Sequence, residues 1–169
     1  HKILNTFNPY YNFEYAEKII KEVNQIVNSN DVADVTKINV YSYLGIDSHN
    51  RYALVEAKDY YEKALSIADK VFNGFDINYH PKLWLNLSNL YSYLLNFEKS
   101  LEYLKKAEEK TLEVLGPKAI SLMTIYDGIA NNLIQYNQMN LAFEYYNKAL
   151  EVAEYNQNVS EEKKITLLI

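Results

Sequence analysis

Cysteine is absent from the 169-residue chain, which excludes disulfide staples, a thiolate nucleophile and Cys-ligated zinc together. Glycine and proline are nearly as scarce, at four and three residues. A sheet protein needs turn residues about every ten positions, so this shortage of breakers points to long helices and an all-α fold. Also missing are any stretch near the roughly 18 consecutive apolar residues of a membrane span and any charged-then-apolar leader at His1. Basic residues number 17 against 22 acidic, a net charge of −5, without the basic excess that phosphate contact uses. These absences lead us to expect a cytoplasmic protein with no membrane contact and no direct nucleic-acid binding by this segment.

What is present is a globular composition, 49% apolar and 23% charged, arranged in repeats. The stretches 57–65, 100–108 and 142–150 nearly superimpose, reading AKDYYEKAL, SLEYLKKAE and AFEYYNKAL. Their markers Ala64, Ala107 and Ala149 stand 43 and 42 residues apart. Upstream, Asn12, Phe13, Glu14, Tyr15 and Ala16 echo Asn96, Phe97, Glu98, Lys99 and Ser100. A fixed period signals stacked supersecondary units. Within each copy a small residue, a large one four later and Ala three after that share one helical stripe, where small side chains let a partner helix approach. The stretch before each copy is also helical: Leu83, Trp84, Leu87, Leu90, Tyr91 and Leu94 recur at three and four, after a Pro81 suited to a first turn.

Every unit therefore reads as a helix pair. The spacing predicts helices over 1–7, 12–28, 32–45, 49–72, 81–95, 97–115, 117–137, 139–156 and 160–169. Gly74 and Gly116 are placed at helix C-termini, and Pro117 at the next helix start. One repeat domain is expected over 1–169: a partial repeat at 1–28, repeats at 32–72, 81–115 and 117–156, and the start of another at 160–169. Because both ends fall inside apolar-periodic segments, we expect a piece of a longer solenoid. The first full hairpin departs from the pattern, since Leu44 to Ala57 is 13 residues where Leu94 to Ser100 is 6. An early start of the second helix, near Ser48, is the simplest expectation for the excess; an inserted loop is the alternative.

Trp84, Leu87, Ser88, Tyr91, Phe97, Ser100, Leu104 and Ala107 fall at the spacing of signature positions, and Tyr126, Ile129, Ala130, Leu133, Met139, Ala142, Tyr146 and Ala149 repeat it. In these residues the chain resembles the tetratricopeptide repeat family, with a period about eight longer than that family's basic 34. The resemblance implies a right-handed superhelix of stacked antiparallel helical hairpins. Two longer-repeat groups are similar: the light chains of kinesin, and the peptide-sensing domains of bacterial quorum-sensing regulators. The polar, Tyr- and Asn-rich repeats lean toward the second.

The family lines its concave wall with the first helix of each pair. Carried over by position, that wall receives Asn39 and Tyr43, then Lys82, Leu85, Asn86, Asn89 and Tyr93, then Thr124, Asp127, Asn131 and Gln135. Asn39, Asn89 and Asn131 occupy one equivalent place, forming a ladder of amides that can each donate to and accept from an extended peptide backbone. The family's clamp for a C-terminal carboxylate uses Lys and Arg where this chain has Leu85, Asp127 and Gly128, which argues against a ligand of that type.

For catalysis the sequence offers little. His1, His49 and His80 form no metal-ligand spacing, and His80 beside Pro81 reads as the residue that opens a helix. Glu108-Glu109 and Glu161-Glu162 lie among lysines, as solvated charge does. Gly116-Pro117-Lys118 lacks the flanks of a phosphate loop. Trp84 and the tyrosines at helical spacing read as core. No cofactor and no catalytic residue are expected. The function expected is a non-catalytic peptide- or protein-binding module, as the sensing domain of a bacterial transcriptional regulator or as a scaffold or cargo adaptor.

Overall fold

The computed structural model describes residues 13–27, 29 and 31–156, with side chains from residue 18 onward. The expected helices 1–7 and 160–169, and the pair Glu161-Glu162, lie outside the described residues. Seven helices follow one another with no strand among the described residues: α1 Phe13–Val27, α2 Asp34–Asn50, α3 Leu54–Val71, α4 His80–Tyr93, α5 Phe97–Leu115, α6 Ser121–Gln135 and α7 Met139–Tyr155. They form two compact units that divide at Gly74. The first holds α1 beside the hairpin α2/α3; the second holds hairpins α4/α5 and α6/α7, joined through α5 against α6 and a lighter contact of α4 with α6.

The small-large-small stripes bury their small members throughout, with Tyr61 and Leu104 buried as the large members and Tyr146 half-buried. Ala64, Ala107 and Ala149 are fully buried, as are Ala57, Ser100 and Leu104 at the same stripe positions. In the second unit one apolar cluster gathers Leu122, Ile125, Tyr126, Ile129 and Leu133 of α6 with Ala142, Tyr145, Ala149 and Val152 of α7 and Leu104 and Ala107 of α5. Trp84 is half-buried against that cluster, whereas the signature position Met139 is exposed.

The first-hairpin excess is resolved differently from the expectation. Ala57 is the fourth residue of α3 just as Ser100 is the fourth of α5, so the second helix does not start early at Ser48. The extra residues prolong α2, which runs to Asn50 and not to 45. Two additional helical turns are accommodated because Gly45 lets the α2 backbone meet the Tyr61 ring, and because Arg51 ties the new end down. Its guanidinium donates to Asp47 Oδ2 at 2.8 Å and to Glu56 Oε2 at 3.3 Å.

Each hairpin turns through the same device. Tyr52, Leu95 and Asn137 each stand two residues before the second helix with φ of 60, 58 and 57°. The following N–H groups close the turn: Ala53 on Ser48 O at 2.9 Å, Asn96 on Tyr91 O at 2.8 Å and Gln138 on Leu133 O at 3.0 Å. This left-handed cap satisfies carbonyls that the helix end leaves open, and glycine usually supplies it. Here tyrosine and leucine hold the conformation at about 1–2 kcal/mol each, which the turn bonds and α5's cap, Asn96 Oδ1 accepting from Lys99 N–H, help offset.

Gly116 (φ 76°) does cap α5, whereas α3 is capped by Phe72 and the left-handed step after it is taken by Asn73 (φ 51°), one residue before Gly74 (φ 101°), whose N–H donates to Asp69 O at 2.8 Å. Pro117 does not open α6. The chain leaves Gly116 extended and closes a turn in which Ala119 N–H donates to Gly116 O at 3.3 Å, delaying the helix to Ser121. His80 opens α4 and is fully buried, its Nδ1 accepting from Asp76 N–H at 2.9 Å, its ring 5.5 Å from both Phe75 and Trp84.

Candidate functional site: the paired α4 and α6 face

α4 and α6 each bury one stripe in the hairpin core and present the other. On α4 the buried set is Leu83, Leu87, Ser88, Leu90 and Tyr91, which leaves Lys82, Asn89 and Tyr93 exposed and Leu85 and Asn86 half-buried. On α6 the corresponding outward set is Thr124, Asn131 and Gln135, exposed, with Asp127 half-buried. Nine of the residues expected to bind thus lie on the outward sides of two helices that touch. Asn39 and Tyr43 are exposed on α2, in the first unit, so the amide ladder is described only for Asn89 and Asn131.

The two amides differ. Asn89 makes no hydrogen bond among the described residues and is exposed. Asn131 is engaged: Tyr146 of α7 donates its hydroxyl to Asn131 Oδ1 at 3.0 Å, and the Asn131 amide bonds the Asp127 carboxylate one turn earlier. Burial raises the Asp127 pKa above the usual carboxylate range, and the bond from Asn131 only partly offsets it. Tyr146 is raised as well, by burial and by the charge of Asp127.

Leu85, the α4 equivalent of Asp127, packs against the apolar cluster. At Gly128 a Cβ would come 2.9 Å from Leu104 Cδ2, so any side chain at this clamp position would press on the end of Leu104. Tyr146 was legible as a signature position but not as a member of the face. Its hydroxyl reaches Asn131 because α7 packs along α6, a distance no spacing rule gives.

Two features escaped the sequence. Asn132 is buried with its Nδ2 donating to Gly128 O at 2.9 Å, while its Oδ1 has no partner. In the first unit a cavity of 560 Å³ opens between α1, the α2–α3 turn and α3, lined by Ile20, Lys21, Asn24, Gln25, Arg51, Glu56 and Tyr60. Asn24 Nδ2 donates to the Tyr60 hydroxyl there at 2.6 Å. Elsewhere Glu108, read from the sequence as solvated, is largely covered by Lys105, whose ammonium bonds it at 2.7 Å and also meets the Tyr145 hydroxyl. Among the described residues no three His, Cys, Asp or Glu side chains gather as metal ligands, and no helix is long and apolar enough to cross a membrane.

Residues 79–154, which span α4 to α7, match the family model of the tetratricopeptide repeat. No curated protein matches the chain. Among solved structures it is similar to BtubC (BKLC) from P. vanneervenii, with a TM-score of 0.66 at 19% identity, over 83% of this chain and 55% of that one. The chain thus spans little more than half the length of that neighbour, and the likeness shows a shared all-α helical-repeat fold. A tetratricopeptide match suggests a protein–protein interaction module of a generally non-catalytic kind.

Proposed function

Taking residues 79–154 as tetratricopeptide repeats, we propose that the α4/α6 face holds an extended segment of a peptide or protein, and that the chain works by binding without catalysis. The observation that carries this reading is the face itself: Lys82, Asn89, Tyr93, Thr124, Asn131 and Gln135 all stay exposed on adjoining helices whose opposite sides are core. Asn89 offers a free carboxamide to a ligand backbone, Tyr93 and Leu85 offer apolar area at little rotamer cost, and Asn131 is held ready by Tyr146.

An amide-to-backbone bond in a partly dry groove contributes on the order of 1 kcal/mol net, or a factor of roughly five to ten in affinity. The test is to pan a displayed nonapeptide library on the protein and titrate the selected peptides against wild type and Asn89→Ala. Binding should weaken by that factor with an unchanged melting curve. Equal affinity would place recognition elsewhere. Asn89 is a cleaner probe than Asn131, whose loss also releases Tyr146 and Asp127.

Two finer readings share this face: the sensing domain of a bacterial transcriptional regulator, which answers to a short free peptide, and a scaffold or cargo adaptor, which holds part of a folded partner. A selected sequence that binds free as tightly as within a carrier protein favours the sensor. The lack of cysteine fits work in a reducing cytoplasm.

A further inference from the structure

We propose that the α4/α6 face selects ligands that set a cationic N–H donor against Asp127, either a Lys or Arg side chain or a free peptide amino terminus. This rests on the reading of that face as a peptide site and adds the chemistry of what it prefers.

Asp127 is a half-buried carboxylate without a cation. None of the ion pairs among the described residues includes it. The lysines of α5 and α7 are committed to other groups, and Lys82 of α4, exposed on the same face, forms no ion pair with Asp127. Lys105 of α5 holds Glu108 and the Tyr145 hydroxyl, and Lys148 of α7 lies 4.4 Å from the centre of the Tyr145 ring and 5.8 Å from that of Tyr126. Its one hydrogen-bonding neighbour is the Asn131 amide, itself anchored by Tyr146. An ionised carboxylate accepts about four hydrogen bonds, so several sites remain on its oxygens.

The position does not require an acid. One repeat earlier the equivalent residue is Leu85, packed on the apolar cluster, so a neutral apolar side chain serves the helix stack there. At Asp127 the stack instead accommodates a partly desolvated charge, and burial drives its pKa upward. A cation supplied from outside removes that penalty and forms a charge-assisted bond, which is about twice as strong as a neutral one. Acidic segments meet repulsion at the same point. The overall charge of −5 adds a field that draws basic ligands toward the chain.

The test pans one nonapeptide library, displayed with free amino termini, on wild type and on Asp127→Asn. The asparagine keeps the size of the side chain and an acceptor for Asn131. Binders from wild type that weaken with Asn89→Ala should be enriched in Lys, Arg or a required free amino terminus, and should lose about tenfold in affinity for Asp127→Asn. Replacing their basic residue by Gln, or acetylating the amino terminus, identifies which cation sits at Asp127. The corresponding change should cost the wild type about tenfold and cost Asp127→Asn little. Binders that depend on Asn89 yet carry no basic preference and ignore Asp127→Asn overturn this inference while leaving the face as a peptide site. Binders indifferent to Asn89→Ala, or none at all, overturn both.

Discussion

Replacing Gly45 by alanine tests how closely α2 and α3 approach. A Cβ at Gly45 would lie 2.4 Å from Tyr61 Cε1, 2.5 Å from Cδ1 and 3.1 Å from Cγ. Ordinary contact begins near 3.4 Å, so the ring must retreat by about 1 Å. It cannot swing aside as a chain tip can, because three ring atoms are involved and Tyr61 is only 1% exposed, sealed enough that burial pushes its phenol up to about 12. Alanine gains about 0.5–1 kcal/mol over glycine inside a helix, while overpacking a core costs about 1–3 kcal/mol. A net loss of roughly 1–2 kcal/mol follows, a fall in Tm on the order of 5 °C for a chain of this size. Gly128→Ala is the control. Its nearest neighbour at 2.9 Å is a Leu104 methyl, which a small rotation can move, so the helix-propensity gain should nearly cancel the clash. Thermal melts followed by circular dichroism measure both. A Gly45→Ala protein as stable as wild type, or less affected than Gly128→Ala, would refute the close approach.

Ala107→Arg sets a long charged side chain in place of a fully buried methyl between α5 and α6 and should cost more than 3 kcal/mol, seen as loss of the cooperative melt. Asn132→Leu removes a buried carbonyl oxygen that has no partner, at a place where the α4 equivalent is the fully buried Leu90, and should raise stability by about 1 kcal/mol in urea titration. For Asp127 the folded-state pKa is raised by burial. Its stabilising contribution is therefore fully present below the unfolded-state pKa and is lost as pH rises through the folded-state value. Denaturation against pH should show wild type losing ground to Asp127→Asn across that window, and parallel curves would contradict the buried charge.

The repeat was readable because its cause is local: a small, a large and a small residue at helical spacing bury wherever a partner helix comes close, and Ala64, Ala107 and Ala149 do so. Helix ends were less readable. Tyr52, Leu95 and Asn137 take the left-handed turn that glycine would have advertised, and Pro117 falls in a turn before α6 instead of in its first turn. α2 continues past Gly45, whose backbone lies close against Tyr61 of α3, an approach between helices that no pattern within α2 reveals. For the site, the outward stripes of α4 and α6 followed from the family resemblance, whose wall positions carry over at the period of the repeat. The engagement of Asn131 by Tyr146, and the isolation of Asp127 from lysines that other groups occupy, depend on the depth at which α7 and α5 pack.

In the proposed binding mode, ligands lie across α4 and α6. A photo-reactive phenylalanine analogue placed at Tyr93, 58% exposed on α4, and separately at Phe143, 66% exposed on α7, tests it most directly. With peptides selected from the displayed library, cross-links should form from position 93 and be competed by excess peptide, with none from position 143. Cross-linking from position 143 alone would contradict the account.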